Sequence, residues 1–185
     1  MSLKHFAFHR ETGRLALDLI ATLGERHITQ LERLNTSNDL ARWLSDVAGE
    51  TDEIVLAECD LAEAKRLRAS ILGLVNALFL SKQPDGRDIQ TINNFAAAFY
   101  PVRLAESGTA LKPDSQSTAL GVFGKIARDA IEMAIGPDAA KMRLCASEDC
   151  SVYFIDRSRP GKRRWCSMSR CGNREKKKKF VGSKT

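Results

Sequence analysis

The sequence lacks an apolar run that is long enough to cross a lipid bilayer. Its most apolar stretch, residues 71–80 (ILGLVNALFL), has ten residues and contains an asparagine, whereas a membrane-spanning helix needs about 20 predominantly apolar residues. The opening segment, MSLKHFAFHRETGR, meets charged residues at once and has no apolar core of the secretory type. These absences predict a cytoplasmic protein that has no membrane partner.

Residue patterns that carry common catalytic chemistry are missing as well. The chain has three histidines, all near its beginning, and none has the H-E-x-x-H spacing of a zinc hydrolase. The sequence contains no glycine-rich nucleotide-binding loop, no internal repeat and no coiled-coil heptads. It also shows no nucleophile paired with a base. We therefore predict no catalytic residues and a protein that is not an enzyme.

Negative charge is scarce in the last quarter of the chain. Residues 141–185 carry 14 Lys and Arg but only 4 Asp and Glu, a net charge of +10, whereas residues 1–140 have a net charge of −4. The total of +6 conceals this division. A basic segment of this kind indicates a polyanion partner, either nucleic acid or an anionic membrane surface.

Cysteine is nearly absent before residue 145 and clustered after it. Cys145, Cys150, Cys166 and Cys171 have the spacing C-x4-C-x15-C-x4-C. Thiols in a reducing compartment are metal ligands or core residues more often than disulfides. Two pairs of this spacing complete the tetrahedral thiolate shell of one zinc ion, and such a shell has no open position for water. The spacing predicts one structural Zn²⁺ per chain.

The segment between the two pairs, residues 151–165, is too polar to form a core of its own. A metal cross-link supplies the missing stability in small domains of this kind. The alternatives are four unrelated reduced thiols and an iron–sulfur cluster. Clustering within 27 residues argues against the first, and the basic flank favours zinc over the second.

Apolar residues recur at helical spacing before the cysteines, so the predicted fold class is mainly α. Residues 1–137 form an N-terminal helical bundle with one or two small β-hairpins, and residues 138–185 form a C-terminal treble-clef-like four-cysteine zinc finger. Predicted helices cover residues 14–23, a segment from Thr36 or Ser37 to Gly49, and residues 52–81, 87–99 and 115–135. Predicted hairpins cover residues 5–17, with a turn at residues 11–13, and residues 102–112.

In the finger, composition predicts strands at residues 152–155 and 163–165 and a helix that begins at Ser167 or Ser169 and runs to Lys179. A helix fits the major groove of DNA, where Arg pairs with guanine and Asn with adenine. One face of the predicted helix carries Arg170, Asn173, Arg174 and Lys177. Further basic residues suit contacts to phosphates, which position a protein without reading sequence: Arg157, Arg159, Lys162, Arg163, Arg164, Lys176, Lys177, Lys178 and Lys179.

Two positions of the bundle have their own predictions. Asp18 has Thr22 one turn later, and the spacing favours a solvent-facing carboxylate paired with Arg14 at i, i+4. The alternative is that Asp18 and Thr22 line a ligand-binding pocket inside the bundle. Cys59 shares a helical stripe with apolar residues and is predicted to be a buried core thiol.

The segment DRSRPGKRRWCSMSRCGNREKKKKF, residues 156–180, resembles the CGNR zinc finger, whose tetrapeptide is Cys171-Gly172-Asn173-Arg174 here. The segment LCASEDCSVYFID, which contains the first cysteine pair, is also similar to this family. Residues 5–135 resemble the ABATE domain through LALDLIATL and NDLARWL. This chain has Ala21 where that family commonly has Asn. The resemblance implies a bacterial stress-responsive transcription regulator in which a sensory helical domain governs a DNA-binding finger.

Three functional hypotheses follow. The first is a transcription regulator whose finger binds duplex DNA and whose helical domain senses a small-molecule effector or mediates homodimerisation. The second is an RNA-binding or ribosome-associated zinc module in which Tyr153, Phe154 or Trp165 stacks on unpaired bases. The third is an enzyme with a structural zinc, for which the pocket at Asp18 and Thr22 is the only sequence feature.

Overall fold

The computed structural model describes residues 8–48, 54, 56–98, 102–104, 111–113 and 118–182. Within these ranges the chain is mainly helical. The helices are α1 (Leu15–Ile20), α2 (Ser37–Asp46), α3 (Asp60–Phe79), α4 (Gly86–Ala97), α5 (Ala119–Ile135) and α6 (Asn173–Gly182). The strands form three antiparallel pairs: β1 (Leu23–Gly24) with β2 (Leu31–Glu32), β3 (Val102–Leu104) with β4 (Leu111–Pro113), and β5 (Met142–Leu144) with β6 (Tyr153–Ile155). The predicted fold class is confirmed.

Local capping signals set the starts of three helices. At α2, the Thr36 hydroxyl accepts the backbone N–H of Asp39 at 3.1 Å, while the Asp39 carboxylate accepts the backbone N–H of Thr36 at 3.0 Å. This reciprocal capping box satisfies two of the N–H groups that every helix start leaves without a partner. Asp85 and Thr118 cap α4 and α5 more simply, through one side-chain bond each. The predicted start of α2 is therefore confirmed.

Helix α3 is shorter than predicted, and this changes the position of Cys59. The helix begins at Asp60, and the Asp60 carboxylate accepts the backbone N–H of Ala57 at 2.7 Å, which stabilises a turn immediately before the helix. Cys59 occupies the N-cap position and is exposed. The prediction of a buried core thiol is wrong, because the helical stripe that carries the core does not extend back to residue 59.

The hairpins agree with the prediction in one place and differ in another. β3 and β4 pair within the segment predicted as a hairpin, with Arg103 opposite Lys112. Residues 8–13 contain no strand, so the predicted opening hairpin is wrong for this part, and its first residues lie outside the described ranges. Among the described residues, the first hairpin instead follows α1, which ends at Ile20 rather than near residue 23.

The core of the helical body lies between α1, α3, α4 and α5, and α2 covers one side of it. Its largest fully buried side chains include Trp43 of α2 and Phe123 of α5, which meets Phe95 of α4 edge to face at a centroid distance of 6.1 Å. The burial of apolar side chains in a closely packed core is the main source of stability in a domain of this size. Among the described residues, no helix has the length and apolar character that a membrane span requires.

The zinc finger shares its core with the helical body. Met142, Tyr153 and Ile155 of the β5–β6 pair belong to the same buried apolar cluster as the residues of α1, α3 and α5. The Tyr153 hydroxyl donates to the side chain of Asn76 at 2.8 Å, and the Tyr153 ring packs edge to face on Phe79. The Ile155 N–H donates to the carbonyl of Thr12 at 2.7 Å. The finger is therefore packed against the helical body and shares buried contacts with it.

Gly13 marks a close approach between these two parts. Its φ angle is +90°, and a Cβ atom at this position would lie 3.3 Å from the Cβ of Ile155. We expect Gly13→Ala to lower the melting temperature by several degrees, because left-handed backbone costs about 1–2 kcal/mol for an L-residue and Ile155 also has to move. Thermal unfolding followed by circular dichroism measures the change.

The control is Gly161→Ala. Gly161 also has a positive φ, +60°, but a Cβ there would meet no atom within 4 Å. We expect this variant to show the backbone strain alone and to lose less stability. An equal loss in the two variants would contradict the packing role of Gly13.

Candidate metal centre and nucleic-acid interface

The four clustered cysteines come together at one point of the finger. All four are buried, and their sulfur atoms lie within 4.8 Å of one another. The Sγ atoms of Cys150 and Cys166 are 3.8 Å apart, and those of Cys166 and Cys171 are 3.6 Å apart. Tetrahedral zinc with bonds of about 2.3 Å places its sulfur ligands about 3.8 Å apart. The donor set and its spacing fit one structural zinc ion, held by these four thiolates.

The first cysteine pair lies in the connection between β5 and β6. The Cys145 N–H donates to the carbonyl of Val152 at 3.0 Å and extends the ladder, and the Cys150 N–H donates to the carbonyl of Ser147 at 2.9 Å. These bonds turn the chain so that both sulfurs face the same point. The Ala146 N–H donates to the carbonyl of Arg164 at 2.8 Å and ties this turn to the chain that carries the second pair.

The predicted strand at residues 163–165 is wrong. β6 pairs with β5, which runs immediately before the first cysteine pair, with Arg143 opposite Phe154. Residues 163–165 are irregular. Arg163 instead donates its backbone N–H to the carboxylate of Asp156 at 2.9 Å, and Asp156 also accepts the backbone N–H and the hydroxyl of Ser158. Asp156 thus organises the loop 157–164.

The second cysteine pair is joined by a wide helical turn. Residues Met168–Gly172 form a π-helix that continues directly into α6, and the Gly172 N–H donates to the carbonyl of Ser167 at 3.0 Å. The wider turn carries Cys171 back to the same point as Cys166. A Cβ on Gly172 would lie 2.7 Å from the sulfur of Met168, an exposed and flexible side chain that would have to move for a larger residue to fit at this position.

Arg174 faces the metal centre. Its Nη2 donates to the Ser147 hydroxyl at 3.2 Å and to the Cys171 sulfur at 3.5 Å, and its Nε is buried without a hydrogen-bond partner in the described part of the chain. The Cys166 N–H also donates to the Cys145 sulfur at 3.4 Å. Four thiolates around one Zn²⁺ have a net charge of −2, which donors of this kind stabilise. The Arg174 side chain is therefore a partner of the thiolates.

Helix α6 has an inner and an outer side. On the inner side, Glu175 accepts from the Ser147 hydroxyl at 2.8 Å, and the Lys178 ammonium lies 2.7 Å from a carboxylate oxygen of Asp149. These contacts seat the helix on the first cysteine pair. The outer side carries the exposed residues Asn173, Lys176, Lys177 and Phe180. The side chain of Lys179 lies outside the described part of the structure.

The basic residues of the loop 157–164 also divide into those that make contacts inside the protein and those that are exposed. Arg163 points inward: its Nε donates to the carbonyl of Trp165 at 2.8 Å, its Nη2 to that of Cys166, and its guanidinium lies over the Phe154 ring. Arg157 is exposed but pairs with the buried Asp138 at 2.6 Å. The exposed residues of the loop 157–164 also include Arg159, Lys162 and Arg164, the last stacked over Trp165.

Arg170 lies at the boundary between the finger and the segment before α1. It is half-buried, and together with Ser167 and Ser169 it lines a small cleft that also contains His9. Burial, followed by the positive charge of Arg170, lowers the pKa of His9 to about 3. The four residues predicted to share one helix face are thus separated: Asn173 and Lys177 face outward, Arg174 faces the sulfurs, and Arg170 faces the body.

Sequence reasoning missed the residues with which the body contacts the metal centre. In the β1–β2 loop, the Arg26 N–H donates to the Ser151 hydroxyl at 3.0 Å, and the Arg26 guanidinium donates to the Ser151 carbonyl. The His27 ring is hydrogen-bonded to the carbonyl of Glu148 at 2.5 Å. Ala21 belongs to the buried cluster that contains the four cysteines. Arg26 and His27 lie in a polar loop of six residues, 25–30, which carries no local sequence signal for such a role.

The structure separates Asp18 from Thr22. Asp18 is buried, and its Oδ1 accepts the Thr12 hydroxyl at 2.8 Å and the Thr12 N–H at 3.4 Å. Thr22 is also buried, but it donates to the carbonyl of Leu19 and accepts from Arg68. Burial raises the pKa of the Asp18 carboxyl to about 7, although the Thr12 bonds oppose the rise. Among the described residues, no hydrogen-bond network joins the two side chains.

The predicted pairing of Asp18 with Arg14 is wrong. Arg14 instead donates its Nη1 to Asp129 of α5 at 3.0 Å and its Nε to Asp138 at 2.8 Å. Asp129 also accepts the backbone N–H of Ala16 at 2.9 Å, so it replaces the missing local cap of α1. Two carboxylates that are distant in sequence hold Arg14 away from Asp18.

These features define a zinc-finger protein whose finger is attached to a helical domain. The CGNR zinc finger family matches residues 141–181, and the ABATE family, described as "Putative stress-induced transcription regulator", matches residues 13–137. The chain belongs to the ABATE family and carries a CGNR zinc finger. A search of curated proteins finds no match to it. The family descriptions favour a regulator over an enzyme.

Proposed function

We propose that this protein regulates transcription by binding duplex DNA through its zinc finger. The main support for this proposal is the outer side of α6, where Asn173, Lys176 and Lys177 are exposed. The inner side of the same helix packs against the metal centre. A rigid helix with a basic outer face suits the major groove, where lysines bind phosphates and Asn pairs with adenine. The boundary at residues 137 and 138 between a sensory domain and the finger is part of this proposal.

The basic loop 157–164 extends the proposed surface. Arg159, Lys162 and Arg164 are exposed, and we assign them to phosphate contacts, whose strength depends on charge and not on base sequence. Arg163, Arg174 and Lys178 are engaged in contacts that hold the finger together. We therefore leave these three out of the DNA surface, although the sequence pattern included them.

Duplex DNA is a better candidate than unpaired RNA. The RNA hypothesis assigns base stacking to Tyr153, Phe154 or Trp165, but Tyr153 and Phe154 are 8% and 0% exposed. Trp165 is half-buried, and the guanidinium of Arg164 lies 5.0 Å from its ring centroid. We propose that the helical body carries the regulatory input, through an effector or a second copy of the chain.

The double variant Lys176→Gln/Lys177→Gln tests the DNA surface. We expect its affinity for duplex DNA to fall uniformly over different sequences, because phosphate contacts carry no sequence information. The slope of log affinity against log salt concentration should decrease by about 2, close to one for each phosphate that the variant no longer binds. Fluorescence anisotropy with a labelled duplex at several salt concentrations measures both quantities.

Lys178→Gln is the matched control on the same helix. Its ammonium is already paired with Asp149 at 2.7 Å, so its removal should change the salt slope much less. Asn173→Ala is the second comparison, and we expect it to alter sequence preference while the slope stays unchanged. If Lys178→Gln weakens binding as strongly as the double variant, α6 does not meet DNA with its outer side. Structured RNA that outcompetes duplex DNA would favour the RNA hypothesis.

A further inference from the structure

An open cleft of about 480 Å³ lies where the helical body meets the finger. Its wall combines five parts of the chain: the segment before α1, α1 itself, the two residues that follow α2, α5, and the first residue of the basic loop 157–164. The charged side chains that line it are Arg10, Arg14, Asp18, Asp129 and Arg157. Its volume is in the range of small-molecule sites.

Hydrogen-bond donors exceed acceptors in this cleft. A guanidinium has five N–H donors, and Arg157 uses one nitrogen, Nη2, for its bond to Asp138. Arg10 approaches Asp46 with one nitrogen at 3.2 Å, and both side chains are about half exposed. The acceptors of the wall are largely occupied, because Asp129 already accepts from Arg14 and from the Ala16 N–H. The surplus of donors favours a ligand with several acceptor oxygens.

Asp18 does not oppose such a ligand. Its pKa is raised to about 7 by burial, so a large share of the molecules carry a neutral carboxyl here at neutral pH. A neutral carboxyl does not repel an anion and can donate a hydrogen bond to it. The Thr12 hydroxyl holds the Oδ1 atom of Asp18 in place at the wall of the cleft.

We propose that this cleft binds a small oxyanion, an organic carboxylate or a phosphate ester, with the guanidiniums of Arg10 and Arg157 as its main ligands. Guanidiniums bind carboxylates and phosphates through paired, charge-assisted hydrogen bonds. The site takes one ligand residue from each part of the protein. The oxyanion therefore bridges the helical body and the finger.

The position of Arg157 links this site to the DNA surface, and this consequence rests on the proposed function. Arg157 and Arg14 share Asp138, which joins the loop 157–164 to the body. A bound oxyanion neutralises a cation beside the phosphate-binding loop. The coupling is reciprocal: the oxyanion lowers DNA affinity, and DNA lowers oxyanion affinity by the same factor.

Isothermal titration of the zinc-loaded protein with succinate, and separately with inorganic phosphate, tests the site in the absence of DNA. Sodium chloride at matched ionic strength is the reference. We expect saturable binding of at least one anion at one site per chain, and a loss of about tenfold or more in affinity for Arg157→Gln. Arg159→Gln is the control, because it removes the same charge from the same loop at a residue that does not line the cleft. The anion affinity of this variant should equal that of the wild type.

A second variant, Arg10→Gln, keeps the test decisive if Arg157→Gln alters the loop. Arg10 is far from the loop in sequence, and we expect its substitution to weaken anion binding while DNA affinity stays unchanged, which identifies a free oxyanion and not a DNA phosphate as the occupant. No saturable binding of either anion, or wild-type affinity in both variants, would overturn the proposal. Because this titration contains no DNA, its outcome is independent of the DNA-binding proposal.

Discussion

Removal of zinc from the purified protein is expected to unfold the finger and to destabilise the helical body at the same time. Metal binding contributes about 10–16 kcal/mol in small zinc domains, as much as the whole stability of an ordinary domain. The four sulfurs are buried together, and unbridged thiolates there would repel one another. Met142, Tyr153 and Ile155 of the finger are part of the core of the body, so their displacement exposes apolar surface on α1, α3 and α5.

The two tryptophans report on the two parts separately. Trp43 is fully buried in the body, and Trp165 lies in the finger beside the second cysteine pair. We expect chelation, or the substitution Cys166→Ser, to change the fluorescence of Trp43 in a Trp165→Phe background and that of Trp165 in a Trp43→Phe background. Metal analysis should give one zinc per chain before chelation.

Cys59→Ser is the control for the ligand assignment. Cys59 is exposed at the start of α3 and does not belong to the sulfur cluster. Its substitution should leave the zinc content and both fluorescence signals unchanged. If chelation alters Trp165 and leaves Trp43 as it was, the finger melts independently and the shared core contributes little to the body.

Asp18→Asn is expected to stabilise the protein above neutral pH. Burial raises the pKa of Asp18 from 3.8 to about 7 in the folded state. Between these values the folded protein holds a proton that the unfolded chain has released, so the contribution of Asp18 to stability is lost as the pH rises through this window. The loss is on the order of 4 kcal/mol above pH 7. Asparagine avoids it and still offers an oxygen to the hydroxyl and the N–H of Thr12.

Urea unfolding of the wild type and the variant at pH 4 and pH 8 measures this effect. We expect similar stabilities at pH 4 and a more stable variant at pH 8. Asp46→Asn is the control, because Asp46 lies in an exposed pair with Arg10 that is worth little. A difference between wild type and Asp18→Asn that is the same at both pH values would show that folding does not raise the pKa of this carboxyl.

The metal centre could be predicted from the sequence because its determinants are local. Each cysteine pair spans six residues, and the chemistry of zinc requires only that four thiolates meet. The start of α2 was predictable for the same reason, since Thr36 and Asp39 form a capping box within one turn. Such features depend on neighbours along the chain, which the sequence displays directly.

The roles of the charged residues could not be predicted in this way. Asp18 has the spacing of a surface partner for Arg14, but Asp129 and Asp138, more than 100 residues away, bind Arg14 instead. Arg174 has the helical spacing of a DNA-reading residue, but Ser147 and Cys171 bind its guanidinium. A helical repeat shows which residues share a side, and it contains no information on which side the rest of the protein covers.

The sequence by itself determined the helical character of this protein, its zinc ligands and the concentration of positive charge after residue 141. Only the tertiary structure decided which of those charges face solvent, that the finger and the body share one core, and that Asp18 lies in a cleft between them. The physical reason is that ligand spacing and helical period are short-range properties. Burial and ion pairing depend on contacts between residues that only folding brings together.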